Sequence, residues 1–109
     1  MGYSEALAGR VRKILKGRES LTEKQMFGGI GFMIRGNMCC GVHGDDLIVR
    51  LPKGEHGAVI AEPHARAMDI GPRISPGWIF VAPGGTKGEA GLRKWVERGV
   101  AFALSLPPK

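Results

Sequence analysis

"MFGGIGFMIRGNMCCGVHGDDLIVRL", residues 26–51, decides the fold. Its apolar runs are separated by two pieces of turn chemistry, "RGN" at residues 35–37 and "HGDD" at residues 43–46. Glycine, asparagine and aspartate between such runs read as tight hairpin connections, so the stretch predicts a three-stranded antiparallel meander over residues 27–34, 38–43 and 46–51.

Gly28, Gly29 and Gly31 sit where a strand would normally carry side chains. A phosphate cradle needs a glycine loop that leads into a helix, where backbone N–H groups and the helix N-terminus meet the anion. Here the sequence continues "FMIRGN", a strand and a turn, with no lysine followed by serine or threonine. The glycines are therefore expected in a first strand whose backbone another element approaches closely. "PGGTKGE", residues 83–89, does precede a helix and is the better anion candidate of the two, but a loop and cap is the favoured reading of it.

Outward from the meander, Leu7, Val11, Ile14 and Leu15 recur at helical spacing among Arg10, Arg12, Lys13 and Lys16, with Ser4 as N-cap and Gly17 as stop. "RESLTEKQ" reads as a short polar connection to the first strand. After the meander, Pro52 opens a short helix and Pro63 ends it, Gly71 and Pro72 break the chain, and "GWIFVAP" is a buried strand. On that strand Trp78 and Phe80 share one face, Ile79 and Val81 the other. The last helix places Leu92, Trp95, Val96, Gly99, Val100 and Ala103 on one face, behind a capping box of Thr86 and Glu89. Trp95 is expected to be a core anchor. The expected order is α-β-β-β-α-β-β-α, a two-layer α+β domain with a largely antiparallel sheet, in one domain over residues 1–109.

Composition sets the outer limits. At 109 residues, 43% of them apolar, the chain can bury a core without staples. No run is long and apolar enough for a membrane span and no secretory segment is visible, so a cytoplasmic protein is expected, with no membrane partner. The net charge of +6 suits a polyanion or plain solubility without choosing between them. Basic residues cluster at Arg10, Arg12, Lys13, Lys16 and Arg18 and at Arg93, Lys94 and Arg98.

The polar candidates for chemistry are few. Cys39 and Cys40 are neighbours on a strand, so they should point to opposite faces, one into the core and the other outward, and cannot share a metal. Cys39 and His43 share a face in that reading but stand ~13 Å apart. His56 and His64 lie eight residues apart with Glu55 and Glu62 alongside and Pro63 between them, and "GDD" at residues 44–46 is turn chemistry rather than a carboxylate pair. No catalytic residue, cofactor site or metal site is expected.

With its elements placed, the sequence resembles the TfoX N-terminal domain family, the TfoX/Sxy-like proteins. The likeness rests on "MFGGIGFMIRGNMCCGVHGDDLIVRL", "MDIGPRISPGWIFV" and "LRKWVERGVAFALSLPPK". It implies a compact domain on an antiparallel sheet, and the best-known members regulate competence gene expression in bacteria. The namesakes carry a second, C-terminal domain, whereas this sequence stops at Lys109, so a stand-alone N-terminal domain is expected. The family motif brings no catalytic residues with it. The first expectation is thus a non-enzymatic regulatory or interaction domain that acts through protein contacts, with a homodimer as one way to protect its strand edges. A direct nucleic-acid binder using the basic helix side is the second, and no recognised binding motif accompanies it. The third is a small anion- or ligand-binding protein, with "PGGTKGE", Arg73 and Trp78 lining a pocket.

Overall fold

The computed structural model describes residues 3–18, 20–26, 28–68 and 76–108. Helix α1 spans Glu5–Leu15, and the Ser4 hydroxyl accepts the Leu7 N–H at 3.2 Å, as an N-cap should. Beyond its last turn Gly17 takes φ +86, the left-handed conformation in which glycine stops helices. Strands β1 (Leu21–Met26), β2 (Gly29–Ile34), β3 (Asn37–His43) and β4 (Asp46–Arg50) follow as antiparallel neighbours. A 3₁₀ turn at Lys53–Glu55 runs into helix α2 (His56–Ile60). Strand β5 (Ala65–Ala67), strand β6 (Trp78–Val81), helix α3 (Pro83–Thr86) and helix α4 (Glu89–Ser105) complete the chain.

The six strands form one antiparallel sheet in the order β1-β2-β3-β4-β6-β5. This is the expected α+β architecture with three departures. "RESLTEKQ" is not merely a connection, because Leu21–Met26 is an edge strand paired along its length with β2. Its Glu23 accepts two hydrogen bonds from the Arg12 guanidinium, at 2.9 and 3.0 Å, which fastens a polar strand to α1. The capping box does not form. Thr86 is drawn into α3, where its hydroxyl donates to the Pro83 carbonyl, and Gly88 is the α4 N-cap with no side-chain bond. Finally, Pro83–Thr86, expected as a loop leading into the last helix, forms the short helix α3.

The β2–β3 connection shows why the meander was legible. Ile34 pairs with Asn37, leaving Arg35 at φ +54 and Gly36 at φ +81, both positive as a type I′ hairpin requires. Strand β2 starts at Gly29, and Gly28 turns the chain at φ +74. Phe27, expected to open the strand, lies outside the described residues, as do Gly71 and Pro72.

The helices pack on one face of the sheet. Leu7, Val11 and Leu15 of α1, Val59 of α2 and the expected α4 face meet Ile30, Phe32, Val42, Leu47, Val49, Ile79 and Val81 in a single cluster. Trp95 is 4% exposed within it, the anchor that the spacing predicts. Helix α4 approaches the sheet closely at Gly99, where a Cβ atom would collide with the Cys39 carbonyl oxygen. Close approach occurs on the sheet as well, as expected for the first strand's glycines: a Cβ at Gly29 would collide with the Val42 carbonyl oxygen of β3, and Gly31 and Gly41 face each other across the β2–β3 pair.

Candidate interaction surface

The other face of the sheet carries no helix among the described residues, and its chemistry differs. Residues that alternate away from the core meet there in a second apolar cluster: Met38, Ile48, Met68 and Phe80 are buried, and Met33 and Trp78 are half-buried against them. Gly41 makes room for this. A Cβ there would lie 2.8 Å from Met38 Cε and 2.5 Å from the Ile30 carbonyl oxygen, so glycine lets the methionine fold across the strand.

Cations frame the cluster. The Arg66 guanidinium sits 4.9 Å above the Phe80 ring while donating to Asp46 at 2.8 Å. His43 stacks on Phe80, with centroids 5.7 Å apart. The Arg50 guanidinium lies 5.1 Å from the Trp78 ring and 5.5 Å from that of Phe102, so it joins this face to the end of α4. A thioether floor with aromatic rings and flat guanidinium groups is the side-chain mixture that supplies anchors at protein interfaces.

The residues singled out from the sequence are scattered. His56 Nδ1 accepts the Gly77 N–H at 3.0 Å, a structural duty between α2 and β6. His64, at φ +69, packs its ring over Gly84 and Gly85. Glu62 pairs with Arg98 at 3.0 Å, and this hydrogen bond holds its carboxyl below the usual glutamate range. Asp46 serves Arg66, and Asp45 lies exposed in the turn. The "PGGTKGE" segment borders a cleft of about 600 Å³ with Ser4, Leu7, Arg10 and Asp45. Trp78 does not belong to it, being on the helix-free face, and Arg73 lies outside the described residues.

The cysteines depart from strand alternation. Phe32 pairs with Cys40 but Met33 pairs with Met38, so β3 carries one extra residue, Cys39, as a β-bulge. The bulge turns Cys39 to the side that Cys40 already faces, and both sulfurs are buried in the core. Neither thiol points outward, and Cys39 does not share the face of His43.

The basic stripe is largely engaged internally. Arg10 donates to the Lys87 carbonyl oxygen, Arg12 holds Glu23, Arg18 meets Glu97 at 2.5 Å and Arg98 holds Glu62. The Arg12 pKa is raised, first by its hydrogen bond with Glu23. Guanidinium groups committed in this way lose reach for an external phosphate. Among the described residues no group of three or more His, Cys, Asp or Glu converges as a metal site, and no helix is long and apolar enough to cross a membrane.

Residues 13–103 match the sequence model of the family described as TfoX N-terminal domain, from the body of α1 to the last turn of α4. No curated protein and no solved structure gives a significant match. The family match takes in most of the 109 residues, including every strand of the sheet and the helix that covers it. The chain belongs to the TfoX N-terminal domain family.

Proposed function

We propose that this domain is a non-enzymatic, TfoX-like regulatory module that works by binding a protein partner on the helix-free face of its sheet. The observation that carries this reading is the apolar cluster of Met33, Met38, Met68, Ile48, Phe80 and Trp78, rimmed by Arg50 and Arg66. Met33 and Trp78, its half-exposed members, offer an adaptable thioether and an aromatic anchor, and the Arg66–Asp46 ion pair at the rim orients a partner.

The edge strand is less suited to a second copy of the chain. Pairing β1 with itself about a two-fold axis normal to the sheet sets Glu23 against Glu23 or Lys24 against Lys24 in its central registers. Charges of this kind guard an open edge against self-association. Direct nucleic-acid binding draws support from Lys13 and Lys16, which remain exposed on α1, while the neighbouring arginines are held by carboxylates or carbonyls.

A photo-crosslinking amino acid placed at position 33, and in a second protein at position 93 on the solvent side of α4, tests the assignment. Cross-linking in cells is expected to give a discrete protein adduct from position 33 and none from position 93. Equal adducts from both positions, or nucleic acid recovered from position 33, would contradict it.

A further inference from the structure

The bulge in β3 creates a second chemical feature that the interaction surface does not use. Cys39 Sγ and Cys40 Sγ are 3.7 Å apart, on one side of the sheet, and Cys39 Sγ is 3.3 Å from the Phe32 carbonyl oxygen. Regular alternation would have kept the two sulfurs on opposite faces. The roof over them is α4, whose Gly99 rests on the Cys39 carbonyl.

We propose that Cys39 and Cys40 form an oxidation site, a dithiol that takes a small two-electron oxidant of the hydroperoxide class and closes a disulfide between adjacent residues. The two sulfurs have different parts in the reaction. The Cys40 thiol, as hydrogen-bond partner, lowers the pKa of Cys39 against the effect of burial, whereas the same bond and burial push that of Cys40 well up. Cys39 is accordingly the nucleophile. Its thiolate attacks one peroxide oxygen and breaks the O–O bond, giving a sulfenic acid and hydroxide. The Cys40 sulfur then displaces the sulfenic hydroxyl. That hydroxyl leaves as water with the thiol proton, and the hydroxide recovers the proton lost by Cys39. The two sulfurs give up two electrons and the peroxide accepts them, so hydrogen peroxide yields two water molecules and an organic hydroperoxide one water and one alcohol.

The product is a switch rather than a staple. Adjacent Cα atoms are ~3.8 Å apart across a trans peptide, below the ~4.4–6.8 Å that disulfides span without strain. A strained disulfide is readily reduced. Closing it also removes the thiol beside the Phe32 carbonyl and reshapes the bulge on which α4 is seated. Both sulfurs are fully buried, so oxidant reaches them when α4 lifts from β3. Loosening the Gly99 contact should therefore speed the reaction.

Thiol counting by alkylation after treatment of the full chain with hydrogen peroxide tests the proposal without interference from methionine oxidation. After oxidation under native conditions, the two thiols that alkylate once the chain is unfolded are expected to fall to none, and a reducing thiol should restore both. Tryptic digestion should place the bond inside the single peptide of residues 36–50. Gly99→Ala should be oxidised several-fold faster than the parent, and Cys40→Ser should stop at a Cys39 sulfenic acid that dimedone traps. Both thiols persisting in the folded parent, a bond between two chains, or irreversible oxidation of one sulfur with the other left free would overturn the proposal. The parent measurement does not depend on any variant folding.

Discussion

On the helix-bearing face of the sheet, aliphatic side chains, two thiols and Trp95 interlock with three helices. On the opposite face the same strands present three methionines, Ile48, Phe80 and Trp78, with arginines lying over the rings. The two tryptophans make the contrast concrete. Trp95 is sealed under Arg98, which is 4.6 Å from its ring, at 4% exposure. Trp78 is half-buried, with the Arg50 guanidinium over its ring. One face is specified by packing and so carries stability. The other leaves Met33 and Trp78 half-exposed beside a buried methionine and aromatic cluster, where a partner would complete their burial.

The comparison is broken most severely at Trp95. Trp95→Ala should cost ~3–5 kcal/mol in urea denaturation, a large fraction of what a domain of this size possesses. Gly99→Ala comes next and reverses a familiar rule. Alanine ordinarily improves a helix interior by about 1 kcal/mol over glycine, yet here the new methyl meets the Cys39 carbonyl and should cost ~1–3 kcal/mol. A stabilised Gly99→Ala protein would mean that α4 does not sit on β3 in this way. Trp78→Ala should lose less than Trp95→Ala, about 1–2 kcal/mol, because only part of its surface is buried.

Smaller effects sharpen the same picture. Arg98 holds the Glu62 carboxyl below its ordinary range. A depressed folded-state pKa adds stability above the unfolded value and loses it as the pH falls through the folded one. The advantage of the parent over Glu62→Gln, about 1 kcal/mol or less for so exposed a pair, should thus be complete at neutral pH and vanish on acidification. Urea titrations of both proteins at neutral and acidic pH measure it. Arg93→Ala and Lys94→Ala, on the solvent side of α4, should stay within about 0.5 kcal/mol of the parent.

How far the sequence reveals these faces depends on which forces act locally. Both long helices are legible because their apolar residues repeat at helical spacing, and the α4 face is buried residue for residue as that spacing predicts. The face assignment of Trp78 and Phe80 against Ile79 and Val81 follows from strand alternation and holds. Strand β1 is hidden because "TEKQ" has no apolar period, and what makes it a strand is its pairing with β2 and the grip of Arg12 on Glu23. The cysteines mislead for a related reason. A bulge is an offset between two strands, so counting along β3 alone cannot locate it, and the alternation rule fails at Cys39. The interaction surface is half visible: Met33, Met38 and Trp78 can be placed on strands from sequence. Their meeting with Met68 and Arg66 depends on the crossover that sets β6 between β4 and β5.

The central claim, that one face folds the domain and the other binds, is tested most directly by partner capture with Trp78→Ala, at a temperature where circular dichroism shows it as folded as the parent. The account predicts that the protein captured by the parent is lost from the variant while the helical signal is unchanged. Undiminished capture of that same protein by folded Trp78→Ala would contradict it.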